Sequence, residues 1–299
     1  AGALDRSFPT LLHPATPEGG GRHRWDQDPT RGLMSPASSR ASSMDAEGNS
    51  RGRSGSPPSQ PATPLDRPDS PPASDALCLS PGCDVGDSVQ ETLALATSNG
   101  WQKVSNSGGV LYEAKTVPWA AIKAVRFTVT IRCTLKALWE FLGDPEQLMK
   151  LDPMLETIDR LSTTESTDLS ETYTAYSVFK APVIGVSKRD FVTNVRCIWM
   201  QNTPEGLIPA TADTVFADPS AVLINAARSV EDKSRPPTKG IVRGQSFAFG
   251  YIASPAGDSI NLVQVLSIDP QGWLPPAAIN ASNTIQMDKL KTMRKMLEK

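Results

Sequence analysis

The chain has 299 residues with 30 basic and 32 acidic side chains and a formal net charge of −2, so it offers no global basic field for nucleic acid. It holds no run of about 18 apolar residues of the kind that crosses a membrane as a helix. Its four cysteines (78, 83, 133 and 197) are too few and scattered for a disulfide scaffold, and its two histidines, His13 and His23, leave the remainder without Ser-His-Asp or Cys-His catalysis or a zinc site.

Residues 1–85 hold 13 of the 26 prolines, no Lys and runs such as Ser54-Gly-Ser-Pro-Pro-Ser-Gln-Pro. No apolar periodicity lasts two helical turns there. Such a segment cannot bury enough apolar surface to offset the roughly 1–2 kcal/mol per residue of lost backbone entropy, and it reads as a disordered tail. The tail carries 8 Arg and 10 acids, which leaves residues 86–299 balanced at 22 basic and 22 acidic groups. That stretch is long enough for one domain with a large core. The first residue is Ala rather than Met, and no signal-peptide apolar region follows it, so a targeting peptide upstream is left open.

From Gly86 onward, Asp87 with Gln90 three residues later predicts an N-capped helix over about 88–98, stopped at Asn99-Gly100. Val110-Leu-Tyr-Glu-Ala-Lys115 reads as a strand. Residues 122–131 alternate Val125, Phe127, Val129 and Ile131 with polar residues, the period of a half-buried antiparallel strand. Leu135, Leu138, Trp139 and Leu142 recur at helical spacing, and Gly143-Asp-Pro145 ends that helix. Strands then follow at about 154–162, 172–180, 190–201, 221–230, 241–253 and 260–269. The order indicates an α+β domain in which one curved sheet packs on helices.

The last strand stops at Asp269-Pro-Gln-Gly272, a turn sequence, and Trp273-Leu-Pro-Pro276 opens a final helix running to Lys299. The first half of this helix is small (Ala277, Ala278, Ala281, Ser282). Its second half sets Leu290, Met293 and Leu297 on one stripe between Lys289, Lys291, Arg294 and Lys295. The basic residues form a solvated face that also suits anionic headgroups.

Several pieces in one order resemble START domains, the lipid-carrying modules related to steroidogenic acute regulatory protein. They are Trp101-Gln-Lys-Val with Gly109-Val-Leu-Tyr112, Val117-Pro-Trp-Ala-Ala-Ile-Lys123, Leu138-Trp139 with Asp144, Lys188-Arg-Asp-Phe-Val192, Gly240-Ile-Val-Arg-Gly244, and the run from Leu266 to Asn280. The resemblance implies a helix-grip fold, in which an antiparallel sheet curls around the C-terminal helix and encloses a tunnel for one lipid. It implies no enzymatic activity and no cofactor. The partners expected are a lipid, sterol or phospholipid, and a membrane surface met transiently by the C-terminal helix. The protein is expected to be a cytoplasmic, peripherally membrane-associated monomer.

Lipid-contacting residues expected on this reading are Tyr176, Phe179, Arg196, Trp199, Phe249 and Ile279, with Phe191, Phe247, Tyr251 and Trp139 as further wall candidates. The cholesterol-carrying branch places a buried acid on the strand before Arg-Asp-Phe and an Arg after it. Here the acid's place falls on Tyr176 or Ser177, and Arg196 stands seven residues after Arg189 rather than six. The phosphatidylcholine carriers surround choline with aromatic rings, for which Tyr173, Tyr176 and Trp199 are candidates. Arg189 and Asp190, being adjacent in a strand, point to opposite faces. The loop Ser229–Gly240 fits the family's mouth-covering loop. Two other functions compete. One is a lipid-responsive regulatory module with the tail as output, supported by Ser/Thr-Pro sites at 16, 35, 56, 63, 70 and 80. The other is an enzyme on the same scaffold, with acid–base work left to Asp, Glu, Lys or Tyr.

Overall fold

A computed structural model describes residues 77–181, 183–211 and 218–298. Among them are eleven strands: β1 (Gln102–Ser107), β2 (Val110–Lys115), β3 (Ala124–Ile131), β4 (Leu155–Ser166), β5 (Ser170–Phe179), β6 (Lys188–Thr203), β7 (Gly206–Pro209), β8 (Ala221–Ser229), β9 (Ile241–Arg243), β10 (Gln245–Ala256) and β11 (Ser259–Asp269). They form one sheet in the order β1-β2-β3-β11-β10-β8-β6-β5-β4, with β7 and β9 paired to β6. Every pairing is antiparallel except β6 with β9. Register shifts at three places between β4 and β5, and one between Ser246 and Ala248, add bulges that bend the sheet.

Both faces of this sheet are covered. On the convex side α1 (Asp87–Thr97) sets Val89, Leu93 and Ala96 against Ile224, Ile252 and Val263. Gly86, not Asp87, is its N-cap; Asp87 is already the first helical residue, and its carboxylate meets Arg228 at 2.9 Å. Composition places residues 77–85 in the tail, yet they lie on this face. Leu79 bridges Leu207 in parallel, Val85 is fully buried, and the Leu207 N–H donates to Cys78 O at 2.7 Å. The contact needs a glycine at 206, where φ is +119° and a Cβ would stand 2.7 Å from Cys78 O. The Ser80 side-chain oxygen is buried in this segment, so a kinase could reach it only after the segment detached. The other five Ser/Thr-Pro sites lie outside the described residues.

On the concave side sit α2 (Leu135–Gly143), α3 (Pro145–Leu151) and α4 (Pro276–Leu297). The Thr134 hydroxyl caps α2 by accepting from Ala137 N–H, and Leu138, Trp139, Phe141 and Leu142 are buried. Helix α3 departs from expectation. Asp144-Pro145 ends α2, but it also starts α3: the Asp144 carboxylate accepts from the N–H groups of Glu146 and Gln147, and Pro145 occupies the first turn, where it loses no hydrogen bond. In the turn before α4, Gln271 has φ 54° and Gly272 φ 67°, both left-handed, and Asp269 accepts from Gln271 N–H at 2.8 Å. Helix α4 then lies in the curve of the sheet with Leu290 and Met293 fully buried. The result is an α+β sheet gripping a C-terminal helix.

Candidate functional site

Between α4 and the concave face lies a cavity of about 340 Å3, within the range of small-molecule sites. Strand alternation builds its wall. Tyr173, Ala175, Ser177 and Phe179 of β5 point inward, as do Arg189, Phe191, Thr193 and Val195 of β6. Asn225 and Ala227 of β8, Phe249 and Tyr251 of β10, and Leu266 and Ile268 of β11 continue it. The cover is α4, through Ile279, Ser282, Asn283, Gln286 and Lys289 at helical spacing, with Leu148 and Leu151 of α3 at the side. The small residues in the first half of α4 let the helix close the space without filling it.

Of the six candidate residues, Phe179, Phe249 and Ile279 line the cavity and the other three do not. Tyr176 is three positions from Phe179, an odd number, so it faces outward, beside Val178 and Val192. Its hydroxyl donates to Asp190 Oδ2 at 3.2 Å. Arg196 likewise faces the convex side, where it meets Glu165 at 3.4 Å and lies next to Gly86. Trp199 does point inward, but it packs against Trp139 with ring centroids 5.9 Å apart and planes tilted by 38°, in packed core beyond Val195 where the cavity has closed. Phe191 and Tyr251 are on the wall; Phe247 and Trp139 are not. The inward position six residues after Arg189 is Val195, and the inward residue at the acid's place is Ser177. The rings of Tyr173 and Tyr176 have cations of their own: the Arg160 and Arg235 guanidinium carbons stand 3.8 and 4.8 Å from their centroids.

Arg189 and Asp190 diverge as adjacent strand residues must. Arg189 turns inward and donates to the carbonyls of Ser187, Pro270, Gln271 and Trp273, tying the turn before α4 to the start of β6. Asp190 turns outward and accepts from two nitrogens of Arg243, Nε at 2.9 Å and Nη2 at 3.0 Å; this pairing raises the Arg243 pKa. The 229–240 loop contributes nothing to the cavity wall. Arg235 pins it to the convex side through Asp159 at 3.0 Å and the Tyr176 ring.

The main correction concerns Lys289. It is not part of the solvated basic face. It is 8% exposed, lines the cavity, and pairs with Asp152 at 3.2 Å, itself 5% exposed. Burial disfavours the ammonium, but Tyr251 and Asp152 beside it outweigh that and hold the Lys289 pKa above its ordinary value. The signal for this was present in the spacing. Lys289 follows Ile279, Ser282 and Gln286 by ten, seven and three residues, on the same stripe of α4. Lys291 and Arg294 are also engaged, against the β1–β2 turn, where Arg294 donates to Gly108 O at 2.8 Å.

Residues 87–299 match the family model of the START domain. No curated protein sequence matches the chain. Among solved structures it is similar to human StAR-related lipid transfer protein 5, with 19% identity, TM-score 0.53, and 67% of this chain and 86% of that chain covered. It is similar also to human STARD10, with 21% identity, TM-score 0.52, and 69% and 77% covered. At these identities the two structures support the fold.

Proposed function

Because the chain belongs to the START domain family, we propose that it binds one lipid in the cavity under α4 and carries it between membranes without changing it chemically. The observation that carries this reading is the cavity itself: a space of about 340 Å3 walled by Tyr173, Phe179, Phe191, Phe249, Leu266 and Ile279. An apolar body entering it gains about 25 cal/mol for each Å2 removed from water. The size favours a single ring system or a single chain over a two-chain lipid.

Local opening of the cover eases entry of a lipid beneath α4. The movable part is the turn before α4, which Arg189 holds by carbonyl hydrogen bonds near 3.4 Å. Trp273 in that turn is 76% exposed, and Ile184, three residues before Ser187, is fully exposed. These two apolar side chains flank the Arg189 clamp and are the groups we assign to the membrane surface. Membrane contact then falls to the N-terminal end of α4 rather than to its basic C-terminal end.

The test is mass spectrometry of lipids extracted from the purified protein, with uptake of a fluorescent sterol and a fluorescent phospholipid as a second readout. A bound lipid at up to one per chain is expected. An empty protein that takes up neither probe would refute the reading. Replacing Trp273 and Ile184 together by Ser should slow transfer from vesicles and leave thermal stability unchanged, and unchanged transfer would remove them from the membrane contact.

A further inference from the structure

We infer that Lys289, Asp152 and Tyr251 are a ligand anchor inside the cavity, built to receive one neutral oxygen, a hydroxyl or carbonyl, at the inner end of an otherwise apolar lipid. This rests on the carrier reading above and specifies the class of lipid.

The three groups come from three elements. Lys289 lies on α4, Asp152 follows α3, and Tyr251 is on β10; all three line the cavity. Lys289 Nζ is 3.2 Å from Asp152 Oδ2, and Tyr251 and Asp152 beside the ammonium together raise its pKa. Tyr251 Oη also accepts from Gln264 Nε2 at 3.1 Å, and Gln264 in turn reaches Gln286 Oε1 on α4 at 3.4 Å. A buried ion pair is a poor source of stability, because desolvation of both charges cancels most of their attraction. Its position in the wall of an apolar cavity therefore calls for a ligand.

The count of donors says what that ligand is. An ammonium has three N–H groups, of which Asp152 takes one. The Tyr251 phenol oxygen accepts from Gln264 and still has its own proton to give. The anchor thus keeps donors on both Lys289 and Tyr251 in the cavity lining, and an acceptor oxygen satisfies them. Charge narrows the choice further. Lys289 and Asp152 neutralise one another, so a phosphate or sulfate would meet an uncompensated Asp152, and a quaternary ammonium would meet Lys289. Length is consistent as well: from Ile279 near the mouth to Lys289 is ten residues of helix, about 15 Å of cavity for the apolar body.

The experiment uses the full chain and four sterol probes delivered from cyclodextrin: cholesterol, its 3-ketone cholestenone, its 3-sulfate ester, and the hydrocarbon cholestane. The alcohol and ketone are expected to bind about tenfold to a hundredfold more tightly than cholestane, the range for a hydrogen bond to a charged donor, and the sulfate more weakly than the alcohol. Lys289→Met alone leaves Asp152 buried and unpaired, a strongly destabilising change, so the decisive variant is Lys289→Met with Asp152→Leu, which removes both charges at similar volume. It should keep the parent's melting temperature or exceed it, bind cholestane as the parent does, and lose the preference for oxygenated sterols. A double variant that keeps that preference would overturn the anchor and leave the pair as a strut between α3 and α4. Equal binding of the sulfate by the parent would overturn the neutral-ligand assignment. Binding of none of the four probes, nor of phosphatidylcholine offered in vesicles, would instead refute the carrier reading on which the inference stands.

Discussion

Gly244 controls the width of the cavity from behind its wall. It follows β9 directly, and its N–H donates to Asp190 O at 2.9 Å, which presses it against the neighbouring Phe191. A Cβ at this position would stand 2.4 Å from Cε1 and from Cζ of the Phe191 ring. Carbon atoms settle about 3.5–4.0 Å apart, so Gly244→Ala must drive the ring back by about 1 Å. Phe179 meets that ring edge-on at 5.7 Å, and otherwise the free space is the cavity itself. Because the ring has somewhere to go, the stability cost should lie at the low end of the ~1–3 kcal/mol typical of overpacking. For a domain of this size that is a melting temperature lower by about 2–6 °C. If the displaced ring denies the ligand on the order of 50 Å2 of apolar contact, at about 25 cal/mol per Å2, binding weakens by about 1.3 kcal/mol, close to tenfold. Thermal melts with titration of a fluorescent sterol measure both quantities. Adding Phe191→Leu should return binding toward the parent by restoring the space. Binding that is unchanged in Gly244→Ala, or not recovered in the pair, would refute the view that this glycine sets the cavity through Phe191.

Gly206→Ala should detach residues 77–80 from β7, and the amides of Ser80 and Leu207, which donate at 3.0 and 2.7 Å, should lose hydrogen-exchange protection; retained protection would contradict this. Arg189→Lys replaces a planar fork by a point charge and should expose amides 271–274 to exchange while costing ~1–3 kcal/mol; an unchanged exchange pattern would remove the clamp role. Burial pushes the Cys197 thiol up to about 12, so the folded state keeps a proton that the unfolded chain loses above about pH 8.5. Stability should therefore fall as pH rises from there toward 12, with a shallower slope in Cys197→Ala; identical slopes would refute it. In iodoacetamide at pH 8.5, Cys197 should stay unmodified while the exposed Cys78 reacts, as read by mass spectrometry.

Periodicity alone identifies most elements of this domain. The alternation in β3, the helical spacing of α2, and the turn after Asp269 are local properties, set by the pleat of a strand and the pitch of a helix. The ordered motifs from Trp101 to Asn280 carry the family and with it the grip of sheet on helix. What periodicity supplies is relative phase: it requires Arg189 and Asp190 to diverge, and it forbids Tyr176 and Phe179, or Arg196 and Trp199, to share a face. Which phase points into the cavity is decided by what covers each side. Here α1 and residues 77–85 bury the convex face while α4 buries the concave one, so β8 is apolar almost throughout and its pattern names no inner side. The same holds for charge. Lys289, Lys291, Arg294 and Lys295 read as one basic face, and only the rotation of α4 in the sheet sends Lys289 inward to Asp152, 137 residues away along the chain. Spacing puts Lys289 on the stripe of Ile279, Ser282 and Gln286, but it does not name Asp152 as the partner, because the energy of that pair comes from desolvation and contact that exist only once the sheet has closed on the helix.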